Sequence, residues 1–262
     1  MSNTLSNSRT LPNFPLRVKR HQSTLAMARA AADEAANTIR LAVEENGVAN
    51  VMFATGNSQL QFIELLTDST PDIPWQDVIV FHMDEYIGIG PNDQPGFQRW
   101  IRERITLKTS PREAFYINGL NDPLAECARY AQLLEVHPLD LCCLGIGENG
   151  HLAFNDPGVA DFDDPHTIKV VELDTRCRLQ QVNEGHFDRL EEVPSHAITA
   201  TIPTLLRAKH LIGVVPDDRK SEAVYNALKK PLSTSCPASS LTTHTNATLH
   251  LDPGSSCLLE RD

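Results

Sequence analysis

The chain has 262 residues, 41% apolar and 22% charged, which suits one large α/β domain or two small ones with a substantial buried core. A formal charge of −11, with acids and bases spread along the chain, argues against an electrostatic nucleic-acid binder and against docking on an anionic membrane. An anionic small substrate stays open, because a few local donors can oppose the global field.

The first stretch, residues 1–15, is rich in Ser, Asn and Thr and is expected to be a flexible arm, leaving residues 16–262 as a single α/β domain. Thr24 to Glu45 is Ala-rich, and Leu25, Ala28, Ala32, Ala35, Ile39 and Ala42 share one face, so an amphipathic helix is expected, ended by Asn46-Gly47. Val48 to Ala54 reads as a buried strand that runs into Thr55-Gly56-Asn57-Ser58 and a helix over Gln59 to Leu66. A strand, a small polar turn and a helix start present backbone N–H groups to an anion, although Asn or Ser there is also a plain N-cap. Val78 to His82 is the next strand, ending in Met83-Asp84-Glu85-Tyr86. Adjacent carboxylates at a strand end are costly to bury unless paired, so they are either turn acids or working groups.

Further on, the pattern predicts helices over Phe97 to Leu107 and Pro123 to Val136, with a short strand at Phe115 to Ile117 between them. Leu141 to Leu144 is a short apolar run of the kind buried in a parallel sheet. Strands are also expected at Ile168 to Leu173, Ala197 to Ile202, His210 to Val215 and Ala247 to Leu251. Cys177 to Leu190 reads as a polar lid helix, Pro203 to Arg207 as a short helix, and a further helix runs from about Lys220 to Leu228. This alternation favours a single doubly wound, mostly parallel sheet with helices on both faces. The six cysteines contain no Cys-x-x-Cys pair, and Cys142 and Cys143 adjoin within an apolar strand. They read as buried thiols of a reducing compartment, and without a signal core or a spanning apolar run the protein is expected to be cytoplasmic.

The most informative stretch follows Leu144. Gly145, Gly147 and Gly150 let the backbone turn sharply and pass close to a ligand, and His151 stands at the end of that turn, with Glu148, Asn149 and Asp156 nearby. Gly145-x-Gly147-x-x-Gly150 matches a dinucleotide fingerprint literally, but it sits mid-chain with a histidine directly after it, which disfavours a nucleotide. The histidines show no metal-ligand spacing, so neither a metal nor another cofactor is expected.

Several segments together resemble one family, the glucosamine-6-phosphate deaminases (isomerases), similar in fold to the 6-phosphogluconolactonases. They are Thr55-Gly56-Asn57-Ser58, Met83-Asp84-Glu85-Tyr86-Ile87-Gly88, the run Gly145 to Pro157, and Lys220 at the head of a late helix, in family order across roughly residues 20 to 252. Tyr86, and Asn149 through Phe154, separate the chain from the lactonase versions of the same motifs. The chain has Asp156 where the family usually has Glu, which shortens its reach toward His151. No clean counterpart of the family's phosphate-binding arginine stands between Cys177 and Phe187, where Arg178 and Gln180-Gln181 are the candidates. The acidic Asp161 to Asp164 stretch leans against the effector site of regulated members.

The resemblance implies a phosphosugar substrate and neither nucleic acid nor membrane as partner, and it is compatible with a homo-oligomer. It implies that His151, oriented by Asn149 and Asp156, opens the sugar ring, and that Asp84 moves a proton between C2 and C1. Glu85 would position Asp84 or its loop, or contact the substrate. Thr55, Gly56, Asn57, Ser58 and Lys220 would hold the phosphate, with Gly147 close to the substrate. Two rivals remain, a lactonase-type hydrolase in which His151 activates water, and a sugar-phosphate sensor without turnover.

Overall fold

A computed structural model describes residues 16–183 and 185–260; the expected arm, residues 1–15, lies outside them. The strands are β1 (Arg17–Arg20), β2 (Ala49–Phe53), β3 (Val78–His82), β4 (Asp84–Tyr86), β5 (Glu113–Phe115), β6 (Leu141–Leu144), β7 (Ile168–Glu172), β8 (His196–Ala200), β9 (His210–Val215) and β10 (Ala247–Leu251). Seven of them form one sheet in the order β1-β10-β9-β6-β2-β3-β5, and every neighbouring pair is parallel. The expected doubly wound α/β sheet is therefore present. Beside it, β4, β8 and β7 form a small antiparallel sheet that the sequence reading did not separate from the main one.

Helices cover both faces of the main sheet, because its central strands are buried on both sides and alternate their side chains between two cores. Met52, Cys142, Leu211 and Leu249 point to the core covered by the Pro123–Val136 and Ser221–Lys229 helices. Val51, Phe53, Cys143 and Val214 point to the other, covered by the Thr24–Asn46 helix. That helix starts at Ser23, whose hydroxyl accepts from Ala26 N–H at 3.1 Å, and ends at Gly47, whose φ of 73° is open to glycine. Its alanines Ala28, Ala31, Ala32, Ala35 and Ala36 are buried and bring its axis close to the sheet. Leu25 is not part of that face; it is exposed.

The helix expected over Gln59 to Leu66 is built from a 3₁₀ turn (Asn57–Gln59), an α turn (Leu60–Glu64) and a π turn (Leu65–Ser69). Three elements are shifted, one of them β8, which spans His196–Ala200 rather than Ala197 to Ile202 because Ile202 opens the Ile202–Leu206 helix. The short strand lies at Glu113–Phe115 rather than Phe115 to Ile117, because pairing with β3 sets its register and Ile117 N–H instead donates to His82 Nε2 at 2.9 Å. The lid helix spans Thr175–Asn183 rather than Cys177 to Leu190. Asp174 accepts from Cys177 N–H at 2.7 Å and starts it early, and Gly185, with φ of 79°, turns the chain out.

No helix among the described residues is long and apolar enough to cross a membrane. The six cysteines are unpaired thiols, five of them buried.

Candidate active site

Strand order reverses between β2 and β6: the chain adds β3 and β5 on one side, then returns to place β6, β9 and β10 on the other. Loops leaving the carboxyl ends of β2 and β6 diverge at such a point, and an open α/β sheet leaves its ligand crevice there. A cleft of about 500 Å³ occupies this position. Into it come the Thr55–Ser58 turn after β2, Asp84 after β3, Gly147 and His151 after β6, and Lys220 after β9.

His151 is held from behind. Asn149 Oδ1 accepts from the His151 backbone N–H at 3.0 Å and lies 2.8 Å from Nδ1. Asn149 Nδ2 in turn donates to Asp156 Oδ1 at 2.8 Å, and the same oxygen is 3.1 Å from His151 Nδ1. Since Nδ1 faces two acceptors, it carries the proton, and in the neutral ring Nε2 is left with a lone pair. The shorter Asp156 side chain thus reaches the imidazole. Burial by itself would raise the Asp156 carboxyl, but the hydrogen bond and charge of His151, with help from Asn149 and Cys177, outweigh it and hold the group below the usual carboxylate range.

Glycine at 147 has a steric cause. A Cβ there would lie 2.1 Å from His151 Cε1 and 2.3 Å from each ring nitrogen, so the imidazole rests directly against the glycine backbone. Gly150 takes φ of 86°, and a Cβ there would meet Cys236 Sγ at 2.7 Å.

Asp84 opens the short strand β4, paired with Thr199 of β8, which fixes its backbone beside the cleft. Burial first, then the charges of Glu85 and Asp156, push its carboxyl well above the usual range. Successive strand residues face opposite ways, so Glu85 turns away from the cleft. Its carboxylate accepts from the backbone N–H groups of Tyr86 (3.0 Å), Phe97 (3.1 Å) and Gln98 (2.7 Å), tying β4 to the start of the Phe97–Ile101 helix. Burial lifts Glu85 to about 7 against the pull of these three donors. The structure therefore gives Glu85 a positioning place and not a ligand-facing one.

Gly56, with φ of 95°, lets the turn after β2 open onto the cleft. Lys220 is largely buried at the head of the Ser221–Lys229 helix. Several cleft residues were not singled out from sequence: His186 and Gln61, the aromatics Phe97 and Phe154, and Arg219. Arg219 had a signal, its place next to Lys220; Phe154 was read only as part of the Gly145 to Pro157 motif and not as a lining residue, and Phe97 lay in an element read only as a helix. Gln181, one candidate for the missing arginine's place, does line the cleft, and its Oε1 accepts from the Tyr86 hydroxyl at 2.7 Å. Arg178, another candidate, is engaged elsewhere, donating to Leu190 O at 2.7 Å and Val193 O at 2.8 Å. The Gln180 side chain lies outside the described residues.

Comparison with known proteins agrees with this geometry. The glucosamine-6-phosphate isomerase/6-phosphogluconolactonase family profile matches residues 22–250. A glucosamine-6-phosphate deaminase of Listeria monocytogenes serotype 4a (strain HCC23) is 34% identical over 231 residues, covering 88% of this chain and 96% of its own. One of Streptococcus pneumoniae (strain Hungary19A-6) is 33% identical over 217 residues, covering 82% and 89%. Among solved structures, a monomeric glucosamine-6-phosphate deaminase superposes with a TM-score of 0.84 at 29% identity, over 92% of this chain and 99% of its own. A 6-phosphogluconolactonase from Trypanosoma brucei gives 0.78 at 16% identity, over 94% and 100%, a likeness of fold alone. By the profile match, the identity to these relatives and the cleft at its switch point, the chain belongs to the glucosamine-6-phosphate isomerase/6-phosphogluconolactonase family.

Proposed function

We propose that the protein is a glucosamine-6-phosphate deaminase, converting glucosamine 6-phosphate and water to fructose 6-phosphate and ammonia. The observation that carries this is a cleft lined by both His151, with its Asn149–Asp156 support, and the raised carboxyl of Asp84, in a chain one third identical to proteins bearing that name.

His151 Nε2 takes the proton of the C1 hydroxyl and returns it to the ring oxygen, opening the pyranose. Asp156, held anionic, stabilises the imidazolium that forms in between. Asp84 as carboxylate then removes the C2 proton, leaving an enolamine, and delivers the proton to C1. The resulting C2 iminium takes up water and expels ammonia, which leaves the ketose. A carboxyl raised above the usual range is a stronger base than an ordinary aspartate, and such a base contributes ~10²- to 10⁴-fold. Thr55 to Ser58 and Lys220 hold the phosphate, the first through backbone N–H groups and hydroxyls, the second through its ammonium.

Ammonia release from glucosamine 6-phosphate by the wild-type protein, beside Asp84→Asn and His151→Gln, tests the reading, with 6-phosphogluconolactone hydrolysis in parallel. Release by wild type and its loss in both variants supports the proposal. Lactone turnover without ammonia would overturn it.

A further inference from the structure

Among the described residues, the cleft lining contains two basic side chains of the lysine and arginine type, Arg219 and Lys220, adjacent on the loop after β9. The lid helix contributes the neutral amide of Gln181, and Arg178 of that helix spends its guanidinium on the carbonyls of Leu190 and Val193. Among the described residues, the guanidinium that lines this cleft therefore lies on the β9 side.

Arg219 is placed for that. Its Nε and Nη2 donate to Asp217 Oδ2 at 3.0 and 2.7 Å, which fixes one edge of the planar fork. Nη1 lies 3.4 Å from Glu148 Oε1, a looser contact to the loop that carries His151. The Asp217 end is rigid. Its backbone takes φ of 87° and ψ of 137°, a region sparsely populated outside glycine, and Asp252 holds its N–H at 3.2 Å while Arg219 N–H donates to Asp217 Oδ1 at 3.0 Å. The Glu148 contact has no such backing: both pairs are equally exposed, at 56% and 36%, but this one is longer, 3.4 Å against 2.7 Å, and is made by one nitrogen, and a single surface contact of this kind contributes little.

We infer that Arg219 is a specificity-determining residue that grips the substrate phosphate beside Lys220, with Asp217 fixing one edge of its guanidinium and Glu148 occupying the other edge until the phosphate displaces it. This rests on the reading of the substrate as a phosphosugar. A phosphate presents paired oxygens to the outward N–H groups of the fork, a geometry that guanidinium matches and ammonium does not.

The test uses Arg219→Gln and Glu148→Gln in the full chain, with two readouts. One is KM and kcat for ammonia release; the other is binding of inorganic phosphate by titration calorimetry. Arg219→Gln is expected to raise KM and weaken phosphate by about 10- to 100-fold, with kcat within a few-fold of wild type. Glu148→Gln is expected to tighten phosphate by about 2- to 5-fold, since it removes the competing charge. Unchanged KM and unchanged phosphate affinity in Arg219→Gln would overturn the inference while leaving the deaminase intact. If wild type releases no ammonia yet phosphate binding falls in Arg219→Gln, the reaction assignment fails and the role of Arg219 stands.

Discussion

Two sequestered carboxylates in this molecule have opposite surroundings. Glu34, on the Thr24–Asn46 helix, meets the strands on the β1 side of the sheet, where Lys19 (2.6 Å), Thr248 (2.6 Å), His250 (3.0 Å) and His210 (3.1 Å) all contact it. Burial would raise it, but the hydrogen bonds from His210, His250, Lys19 and Thr248 win and hold it far below the usual carboxylate range. Asp84, in the cleft, is pushed the other way by burial and by two further acids. Burial is common to both, so the partners set the sign. A carboxylate at a structural junction is surrounded by donors, whereas one in the cleft is left short of them, which costs stability and makes it a better base.

The largest expected effect is at Asp84. Asp84→Asn should lower kcat by ~10²- to 10⁴-fold while the thermal midpoint stays level or rises, because the variant removes a carboxyl that the fold does not compensate. Its sign with pH follows: a folded-state pKa raised above the unfolded value makes Asp84 a destabilising group at neutrality, a cost relieved as pH falls through the raised value. A variant that loses activity and melts earlier would place Asp84 among structural acids.

Glu34→Gln is the converse. It should cost about 2–4 kcal/mol in urea unfolding, since it weakens hydrogen bonds to several donors at once, while kcat per folded molecule is kept. An undiminished stability would show that the cluster contributes no net energy. The next effect is a pH dependence. His21 stacks on His250 with ring centroids 5.2 Å apart, and burial, with the nearby charges of His250 and Lys19, lowers it to about 4. Its neutral form is favoured in the fold, so the unfolded chain binds the extra proton between about pH 6.5 and 4, and stability falls as pH drops through that window. The loss is of the order of 1–2 kcal/mol after allowance for solvent screening. Urea melts of wild type and His21→Gln at pH 7 and pH 5 should differ in slope against pH, and parallel slopes would discharge His21 from the effect. The smallest change expected is Ser23→Ala, about 1 kcal/mol from the lost cap of the helix that carries Glu34. It loosens that helix without altering a charge, and so separates docking from charge compensation in the Glu34 result.

Most strands were legible because a strand buried on both faces must be a short unbroken apolar run. Val78–His82, Leu141–Leu144 and His210–Val215 lie where that pattern places them, and Ala247–Leu251 lies where it was expected although Thr248 and His250 interrupt its apolar run. β1 was not, because Arg17-Val-Lys-Arg20 is an edge strand whose basic residues serve Glu34 and neighbouring side chains rather than a core. β4 was missed because three residues, two of them acidic, carry no periodicity; it is a strand only because β8 offers it an edge. In the cleft, the motif residues were legible as chemical types at chain turns. Glu85 was separated from Asp84 in the sequence only by the family resemblance, which left it between positioning and substrate contact; the strand pleat sends one into the cleft and the other to Phe97 and Gln98.

By itself the sequence determined the alternation of strand and helix, the glycines that bring the backbone under His151, and the acids and histidine available for proton transfer. Those are local properties, fixed by periodicity, side-chain volume and functional group. Only the tertiary structure decided that Asp156 reaches His151 despite its shorter side chain, that Arg178 is spent on carbonyls while Arg219 lines the cleft, and that Asp84 and Glu34 are shifted in opposite directions from the ordinary carboxylate range. Each of these depends on which groups from distant parts of the chain meet inside a low-dielectric interior, where a few ångströms decide whether a charge finds a donor or another charge.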